Sequence, residues 1–216
     1  MKAASIIVGV LLITALPYFL GSCNGAIFVS KLLLKDDIRN YGSGNAGLTN
    51  FLRVFGGKTS ILVILCDALK AVLAVLAGML GQWLLYKAGI HVLIPLHARL
   101  LAGICCELGH MFPVYSGFRG GKGILPGGFI AIMVSWKVAL VVWGSFLLLF
   151  LLTRYVSAGS VSTGVLFPVS VWLFFREPVS LILAAIMGGL ILWAHRSNIS
   201  RLIHGTENKF TIHKKT

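Results

Sequence analysis

Charged residues are scarce in this chain of 216 residues, and acidic residues are the scarcest. Asp, Glu, Lys and Arg make up 12% of the sequence, and only six residues are acidic. Soluble domains carry about 25% charged residues and are about 45–50% apolar. Here 57% of the residues are hydrophobic and the mean hydropathy is +0.92, which is more apolar surface than a soluble fold of this size can bury. We therefore predict an all-α integral membrane protein with a single domain, residues 1–216.

Disulfide and metal motifs are also missing. The four cysteines, Cys23, Cys66, Cys105 and Cys106, lie in or beside apolar runs and lack the spacing of metal ligands. We interpret them as small buried hydrophobic residues and expect no metal and no cofactor. The net charge of +13 does not predict nucleic-acid binding. The basic residues lie between apolar runs, where they set topology, contact anionic lipid or bind phosphate.

The N-terminus has features of a secretory signal peptide. Lys2 precedes an apolar run, and residues 20–23 (Leu-Gly-Ser-Cys) look like a lipoprotein processing site. The apolar run continues past this site to Leu34, as in a helix that is retained. We therefore expect no cleavage here.

Apolar runs long enough to suggest membrane spans recur along the chain. A spanning helix needs about 20 mostly apolar residues. We predict about seven transmembrane helices, at residues 5–34, 59–86, 90–107, 123–136, 138–152, 161–175 and 179–194. The boundary between the fourth and the fifth is the least distinct, and no period of 20–50 residues indicates a repeat array.

The distribution of Lys and Arg predicts the orientation of this bundle. With the N-terminus outside, thirteen of these residues fall on the cytoplasmic side and two, Lys70 and Arg99, lie within spans. The four that fall outside are Lys2, Lys87, Lys137 and Arg176. Cytoplasmic loops carry the excess of positive charge, so we predict an external N-terminus and a cytoplasmic C-terminus. All the polar loops described next then share the cytoplasmic face.

The first cytoplasmic loop, residues 36–53, is dense in glycine, hydroxyl and amide groups. Gly42, Gly44 and Gly47 match the dinucleotide fingerprint G-x-G-x-x-G, but no strand precedes them, so a nucleotide site is not predicted. Glycines still let backbone N–H groups approach an anion closely. A tight turn capped by Thr49 or Asn50 is the alternative interpretation. The candidate anion-binding side chains are Ser43, Asn45, Thr49, Asn50 and Arg53.

The second loop, residues 109–123, resembles a Walker A loop but is one residue too short and lacks its Ser or Thr. It starts with His110 after Gly109. It ends in Gly120, Gly121, Lys122 and Gly123, where backbone donors beside an ammonium suit a phosphate. A positive anchor at the membrane surface is the alternative.

Three further groups of polar residues are candidates. His195, Asn198 and Glu207 follow the seventh span, and Glu207 is expected to pair with a nearby arginine. Residues 153–160 combine hydroxyl groups with Arg154 and include Ser160. Within the second span, Asp67 and Lys70 are three residues apart and can pair. That pair is either functional or a structural ion pair facing the bundle interior.

Three motifs follow one another along the chain. They read G-S-G-N-x-G-x-T-N-x-x-R at residues 42–53, G-H-x-F-P at 109–113 leading to G-G-K-G at 120–123, and H-R-x-N-I-x-R at 195–201 before G-T-E at 205–207. Their order and spacing resemble the bacterial membrane acyl-phosphate:glycerol-3-phosphate acyltransferases, over essentially the whole chain. Asp67-x-x-Lys70 and the cluster Thr153-Arg154-Tyr155-Val156-Ser157 fit this family as well. The sequence departs from that family at Ile124-Leu125-Pro126, at Ala71 and at Ser22-Cys23-Asn24.

The resemblance implies a seven-helix enzyme of the bacterial plasma membrane with a cytoplasmic active site. It implies acyl transfer from a fatty acyl phosphate to the 1-hydroxyl of glycerol 3-phosphate, which yields lysophosphatidic acid and phosphate. The expected partners are these two substrates and membrane lipid, and the protein is expected to be a monomer or a weak oligomer. A transporter of phosphorylated metabolites is the competing class, but transporters usually have internal repeats and a site near the midplane.

No histidine is followed five residues later by aspartate, the pair that coenzyme-A-dependent acyltransferases use, so acyl phosphate is the expected donor. We expect Lys122 and the second-loop glycines to hold one phosphate, and the first loop to hold the other phosphate and the oxyanion. The proton acceptor is a substrate phosphate oxygen or, alternatively, His110 or His195. The catalytic candidates are Ser43, Arg53, Lys122, Ser160, His195 and Asn198. The binding candidates are Gly42, Gly44, Asn45, Thr49, Asn50, His110, Gly120, Gly121, Gly123 and Glu207.

Overall fold

A computed structural model describes residues 2–211, and the described part of the chain is helical, as the sequence predicts. Lys214 and Lys215, two of the cations assigned to the cytoplasmic side, lie outside the described residues. Short 3₁₀ turns occur at Ile38–Asn40 and Val114–Ser116. The α-helices are α1 (Lys2–Ile13), α2 (Ala15–Ser22), α3 (Gly25–Leu33), α4 (Leu48–Phe55), α5 (Thr59–Lys87), α6 (Pro95–Met111), α7 (Ile124–Val134), α8 (Trp136–Thr153), α9 (Val156–Phe175), α10 (Pro178–Ala194) and α11 (Arg196–Ile203).

Within the part of the chain that the structure describes, four helical segments are long and apolar enough to cross a membrane. They are Lys2–Ser22, which joins α1 and α2, and the helices α5, α8 and α9. A fifth is obtained if α10 and α11, which meet at a bend of 63°, are taken together. The remaining two predicted spans correspond to α6, which carries His97, Arg99 and Glu107, and to α7, which has only 11 residues. The count of seven therefore remains a prediction.

The first predicted span, residues 5–34, is not one continuous helix, and this part of the prediction is wrong. The helix ends at Ser22, and α3 begins anew at Gly25. Asn24 has an extended backbone and its side chain accepts a hydrogen bond from the Ile27 N–H at 3.1 Å, as an N-cap residue does. Hydropathy alone does not register such a cap, because the residues on both sides of it are apolar.

Several helix ends also differ from the prediction in ways that move functional residues. His110, assigned to a loop, lies in the last turn of α6, which ends at Met111 just before Pro113. Ser160, also assigned to a connection, lies in α9, because this helix begins at Val156. Asn198 lies on α11, a short helix after the bend at His195. Each of these side chains therefore has a rigid support.

Helix α5 lies at the centre of the bundle and packs against α1, α2, α3, α6 and α7. Small residues permit close approach, as where Gly9 of α1 meets Gly81 of α5. Helix α9 packs between α8 and α10, with Gly164 against Gly188. This packing gathers the first loop, the second loop, the start of α9 and the bend between α10 and α11 around one cavity.

Candidate active site

A cavity of about 270 Å³ lies where these four parts of the chain meet. Most of the residues expected to act on substrate line it. These are Ser43, Asn45, Thr49, Asn50, Arg53, His110, Lys122, Gly123, Ser160, His195, Asn198 and Glu207. The remaining four candidates, Gly42, Gly44, Gly120 and Gly121, are not part of the lining and shape the loops behind it.

The first loop is organised by the buried side chain of Asn50. Its amide nitrogen donates to the carbonyl oxygens of Tyr41 at 3.0 Å and Asn45 at 3.1 Å, and its oxygen accepts from the Ser43 N–H at 3.0 Å. Gly42 has φ +58°, and a Cβ at this position would lie 2.3 Å from the Asn50 oxygen. The hydrogen-bonding groups of Asn50 are thus used within the loop. These bonds fix the shape of the loop beside the cavity.

In the second loop, the backbone groups of Gly120 and Gly121 are also occupied. Their N–H groups donate to the carbonyl oxygens of Met111 and His110, each at 3.1 Å. A Cβ on Gly121 would lie 2.2 Å from His110 Nε2, so the loop packs directly on this ring. The expectation that these two glycines offer free amide donors is therefore corrected. Their function in the loop is to bring Lys122 to the cavity wall.

Lys122 begins a chain of polar contacts across the cavity. Its ammonium donates to the Asn198 side-chain oxygen, and the Asn198 amide donates to Glu207 Oε1 at 3.0 Å. Arg201 Nε donates to Glu207 Oε2 at 2.8 Å, which confirms the predicted pairing of Glu207 with an arginine. Burial, reinforced by the positive charges of Arg201 and Arg196, lowers the pKa of Lys122.

The charge of the cavity is predominantly positive. Arg53 also lines the cavity, and within the described residues its guanidinium has no hydrogen bond or ion pair. Among residues 2–211, Glu207 is the one acidic group that pairs with these cations. A second carboxylate that lines the cavity, Asp67, pairs with Lys70 instead. We call the residues Arg53, Lys122, Asn198, Arg201 and Glu207 the cavity cluster.

A second group of polar side chains lies within the helix bundle. Lys70 Nζ contacts Asp67 Oδ1 at 2.7 Å and donates to the carbonyl oxygens of Gly21 and Cys23. Asp67 Oδ1 also accepts from the Gly25 N–H at 3.0 Å. The pair thus caps both sides of the break between α2 and α3, which assigns it a structural role. We call the residues Asn24, Asp67, Lys70 and His110 the core cluster.

The two candidate histidines differ in which nitrogen is available. His110 Nδ1 lies 2.8 Å from Lys70 Nζ, and because an ammonium can only donate, this nitrogen accepts. His195 Nδ1 lies 2.9 Å from the Ile191 carbonyl oxygen, so this nitrogen carries the proton. The His195 ring therefore presents an accepting Nε2, whereas the accepting nitrogen of His110 is already occupied. This geometry favours His195 as the better placed base.

Sequence reasoning assigned no role to several residues that line the cavity. Arg201 and Asn208 accompany Glu207, and Ser157 lies one turn before Ser160 on α9. Arg201 belongs to the third motif and is three residues from Asn198, a spacing that shares a helix face once the segment is known to be helical. An apolar wall completes the cavity, and it was missed because its residues look like ordinary membrane-span residues. It consists of Leu125, Trp143, Phe146 and Val156.

Comparison with known proteins places these features in a family. Residues 11–205 match the family model described as glycerol-3-phosphate acyltransferase. A glycerol-3-phosphate acyltransferase of Thermoanaerobacter pseudethanolicus is 40% identical over 192 residues, which cover 89% of this chain and 91% of that protein. One from Pseudomonas putida KT2440 is 40% identical over 200 residues, which cover 92% and 98%.

Solved structures agree with the sequence comparison. A crystal structure of PlsY (YgiH), an integral membrane glycerol 3-phosphate acyltransferase, in its glycerol 3-phosphate form superposes with a TM-score of 0.79. The two chains are 34% identical, and the match covers 94% of this chain and 96% of that one. The lysophosphatidic acid form of the same enzyme gives a TM-score of 0.77 at 33% identity. The chain described here belongs to the glycerol-3-phosphate acyltransferase family.

Proposed function

We propose that this protein transfers a fatty acyl group from acyl phosphate to the 1-hydroxyl of glycerol 3-phosphate. The products are lysophosphatidic acid and inorganic phosphate. The observation that carries the proposal is a single cavity in which the cations of the cavity cluster face an apolar wall of Leu125, Trp143, Phe146 and Val156. Both substrates bring a phosphate, and one brings an acyl chain, so a site for them needs both kinds of surface.

The cations and polar loops are proposed to hold the two phosphates. Lys122 is supported by the rigid second loop, and its ammonium suits a phosphate oxygen as a compact charge. Arg53, with Ser43, Asn45 and Thr49 nearby, offers a guanidinium that no protein carboxylate neutralises within the described residues. Phosphate binding by a planar guanidinium is commonly bidentate. Asn50 acts on this site as a positioning residue, since its own groups are bonded to the loop.

The reaction needs little covalent assistance from the protein. The 1-hydroxyl oxygen of glycerol 3-phosphate forms the new ester bond to the acyl carbon, and the bond from that carbon to the phosphate oxygen breaks. The mixed anhydride is already activated, so positioning and charge stabilisation supply the catalysis. The hydroxyl proton passes to an oxygen of the departing phosphate. His195 Nε2 is the alternative acceptor.

Acyl phosphate is proposed as the donor in preference to acyl-coenzyme A. The test uses the full-length protein, purified and reconstituted in lipid, with glycerol 3-phosphate and either palmitoyl phosphate or palmitoyl-coenzyme A. Release of inorganic phosphate together with lysophosphatidic acid is expected with the first donor, and little or no product with the second. Comparable rates with both donors would overturn the donor assignment. A protein inactive with both would overturn the proposed function.

The proposed site faces the cytoplasm of a bacterium from the plasma membrane. This placement rests on the predicted excess of Lys and Arg on one side of the bundle, and it requires an external N-terminus and an odd number of spans, for which we propose seven. A topology reporter fused after residue 216 is expected to read cytoplasmic, and one fused before residue 1 is expected to read external. Two termini on the same side would exclude an odd number of spans.

A further inference from the structure

Ser157 is a cavity residue whose hydroxyl is unused by the protein. It is 5% exposed and lines the cavity, and within the described residues its Oγ has no hydrogen-bond partner. Ser160, one turn further along α9, differs in that its hydroxyl donates to the Val156 carbonyl oxygen at 2.9 Å. A buried hydroxyl without a partner costs stability, so its position is better explained by a partner that arrives with the substrate.

The backbone around Ser157 points to the same kind of partner. Ser157 is the second residue of α9, a helix of 20 residues, and Tyr155 before it provides no side-chain cap. The N–H groups in the first turn of a helix have no partner one full turn back, and this end carries partial positive charge. In α9 the Ala158 N–H donates to the Tyr155 carbonyl oxygen at 3.2 Å, whereas the N–H groups of Val156 and Ser157 have no acceptor within the described residues. The start of α9 faces the cavity, as shown by Val156, Ser157 and Ser160 in its lining. A hydroxyl donor and a positive helix end thus converge on one point.

The residues around Ser157 indicate which substrate group binds there, a phosphate or the acyl carbonyl oxygen. Val156 belongs to the apolar wall, and Trp143 and Phe146 from α8 stand beside it with ring centroids 5.9 Å apart. Trp143 is held in place by a hydrogen bond from its Nε1 to the Gly128 carbonyl oxygen at 3.2 Å. The cations Lys122, Arg53 and Arg201 come from other elements. Ser157 thus shares α9 with a residue of the apolar wall, which is the side of the cavity expected to hold the start of the acyl chain.

We infer that Ser157 and the first turn of α9, in place of the first loop to which the sequence analysis assigned the oxyanion, bind the acyl carbonyl oxygen of the donor and stabilise the oxyanion that forms on it during transfer. This inference rests on the proposed function and adds a catalytic residue to it. When the glycerol hydroxyl attacks, the carbonyl π electrons move onto this oxygen, and they return as the bond to phosphate breaks. Donors already fixed at this position stabilise the charged state more than the neutral carbonyl, which raises kcat rather than lowering KM.

The test is a kinetic comparison of purified Ser157→Ala, Ser157→Thr and Ser162→Ala proteins in lipid, with palmitoyl phosphate and glycerol 3-phosphate. Ser157→Ala is expected to lower kcat by about 100-fold or more, the effect of losing one oxyanion donor, while KM for both substrates stays close to that of the unmodified protein. Ser157→Thr keeps a hydroxyl and is expected to recover most of kcat. Ser162 is the matched control, because it is on the same helix, donates to Gly159 and is outside the cavity lining.

Thermal unfolding separates this role from a structural one. Removing an unpartnered buried hydroxyl is expected to leave the Tm of Ser157→Ala unchanged or raise it, so a loss of kcat with an intact fold supports the inference. Normal kcat in folded Ser157→Ala, or an equal loss in Ser162→Ala, would overturn it and leave the proposed function standing. Failure of the unmodified protein to turn over palmitoyl phosphate would overturn both.

Discussion

The core cluster and the cavity cluster have similar residues, but their groups are used differently. In the core cluster, the Lys70 ammonium is surrounded by Asp67, His110 and the carbonyl oxygens of Gly21 and Cys23. In the cavity cluster, three cations meet one carboxylate, and Arg53 has no bond within the described residues. A cation whose partners all come from the protein stabilises the fold. A cation that lacks such partners is available to bind a ligand.

The largest expected effect tests the core cluster. Lys70→Met leaves the buried Asp67 carboxylate and two carbonyl oxygens without their partner, which should lower the free energy of unfolding by roughly 3–5 kcal/mol. Unfolding of the detergent-purified protein by heat or denaturant measures this loss. The double variant Asp67→Leu with Lys70→Met removes both charges and is expected to recover part of it. A Lys70→Met protein as stable as the unmodified one would remove the structural assignment.

The second prediction concerns activity and not stability. Lys122→Ala should leave folding nearly intact but remove a charged donor worth about 1.5–3 kcal/mol, which corresponds to roughly a ten- to hundredfold loss of kcat/KM. Lys122→Arg is expected to rescue only part of it, because a planar fork does not replace a compact charge in a tight glycine loop. The control is Lys58→Ala, since Lys58 is exposed and outside the cavity lining.

Turnover per mole of folded protein shows whether Lys122 binds phosphate or only anchors the protein at the membrane surface. If Lys122 only anchors the protein at the membrane surface, Lys122→Ala reduces expression or insertion but the folded enzyme turns over normally. Near-normal turnover would therefore place Lys122 outside the phosphate site.

Asn50 shares a property with each cluster. Its own hydrogen-bonding groups are all used within the protein, as in the core cluster, but the loop that they shape belongs to the cavity. Asn50→Ala breaks its bonds to Tyr41, Asn45 and Ser43, and we expect a loss of roughly 1–3 kcal/mol in stability. KM for glycerol 3-phosphate should rise with it, as the loop loses its shape. Steady-state kinetics and thermal unfolding of one preparation measure both. A rise in KM with no loss of stability would instead indicate direct contact with the substrate.

The smallest expected effect is on the pH dependence of the reaction. The lowered pKa of Lys122 means that its ammonium loses its proton at a lower pH than an exposed lysine does. If only the charged form binds phosphate, kcat/KM falls on the alkaline side as the pH rises through that pKa. In Lys122→Arg the side chain stays charged, so this alkaline fall should move to higher pH. An identical pH profile of kcat/KM in both proteins would show that the alkaline decrease is not caused by deprotonation of Lys122.

Much of the site was predictable because its motifs are local. The first loop needs Gly42 for its left-handed backbone and Asn50 for its bonds, and both are within nine residues of each other in the chain. Lys122 followed from its glycine neighbours, and Glu207 from the scarcity of acids. Ser157 belongs to a motif of the family resemblance but had no role assigned from the sequence. Trp143 could not be recognised, because an aromatic residue in an apolar run is common in membrane helices. Only the cavity distinguishes them.

The sequence by itself determined the helical class, because apolar runs this long must satisfy their backbone groups within the segment in lipid, as a helix does. It also determined the polar motifs that carry the family resemblance. The tertiary structure decided what each polar group is used for. Asp67 and Lys70 pair across one helix turn, but their second function is to cap a helix break more than 40 residues earlier in the chain. Hydropathy and spacing describe each segment alone, whereas the partner of a charge is set by the packing of segments that are distant in sequence.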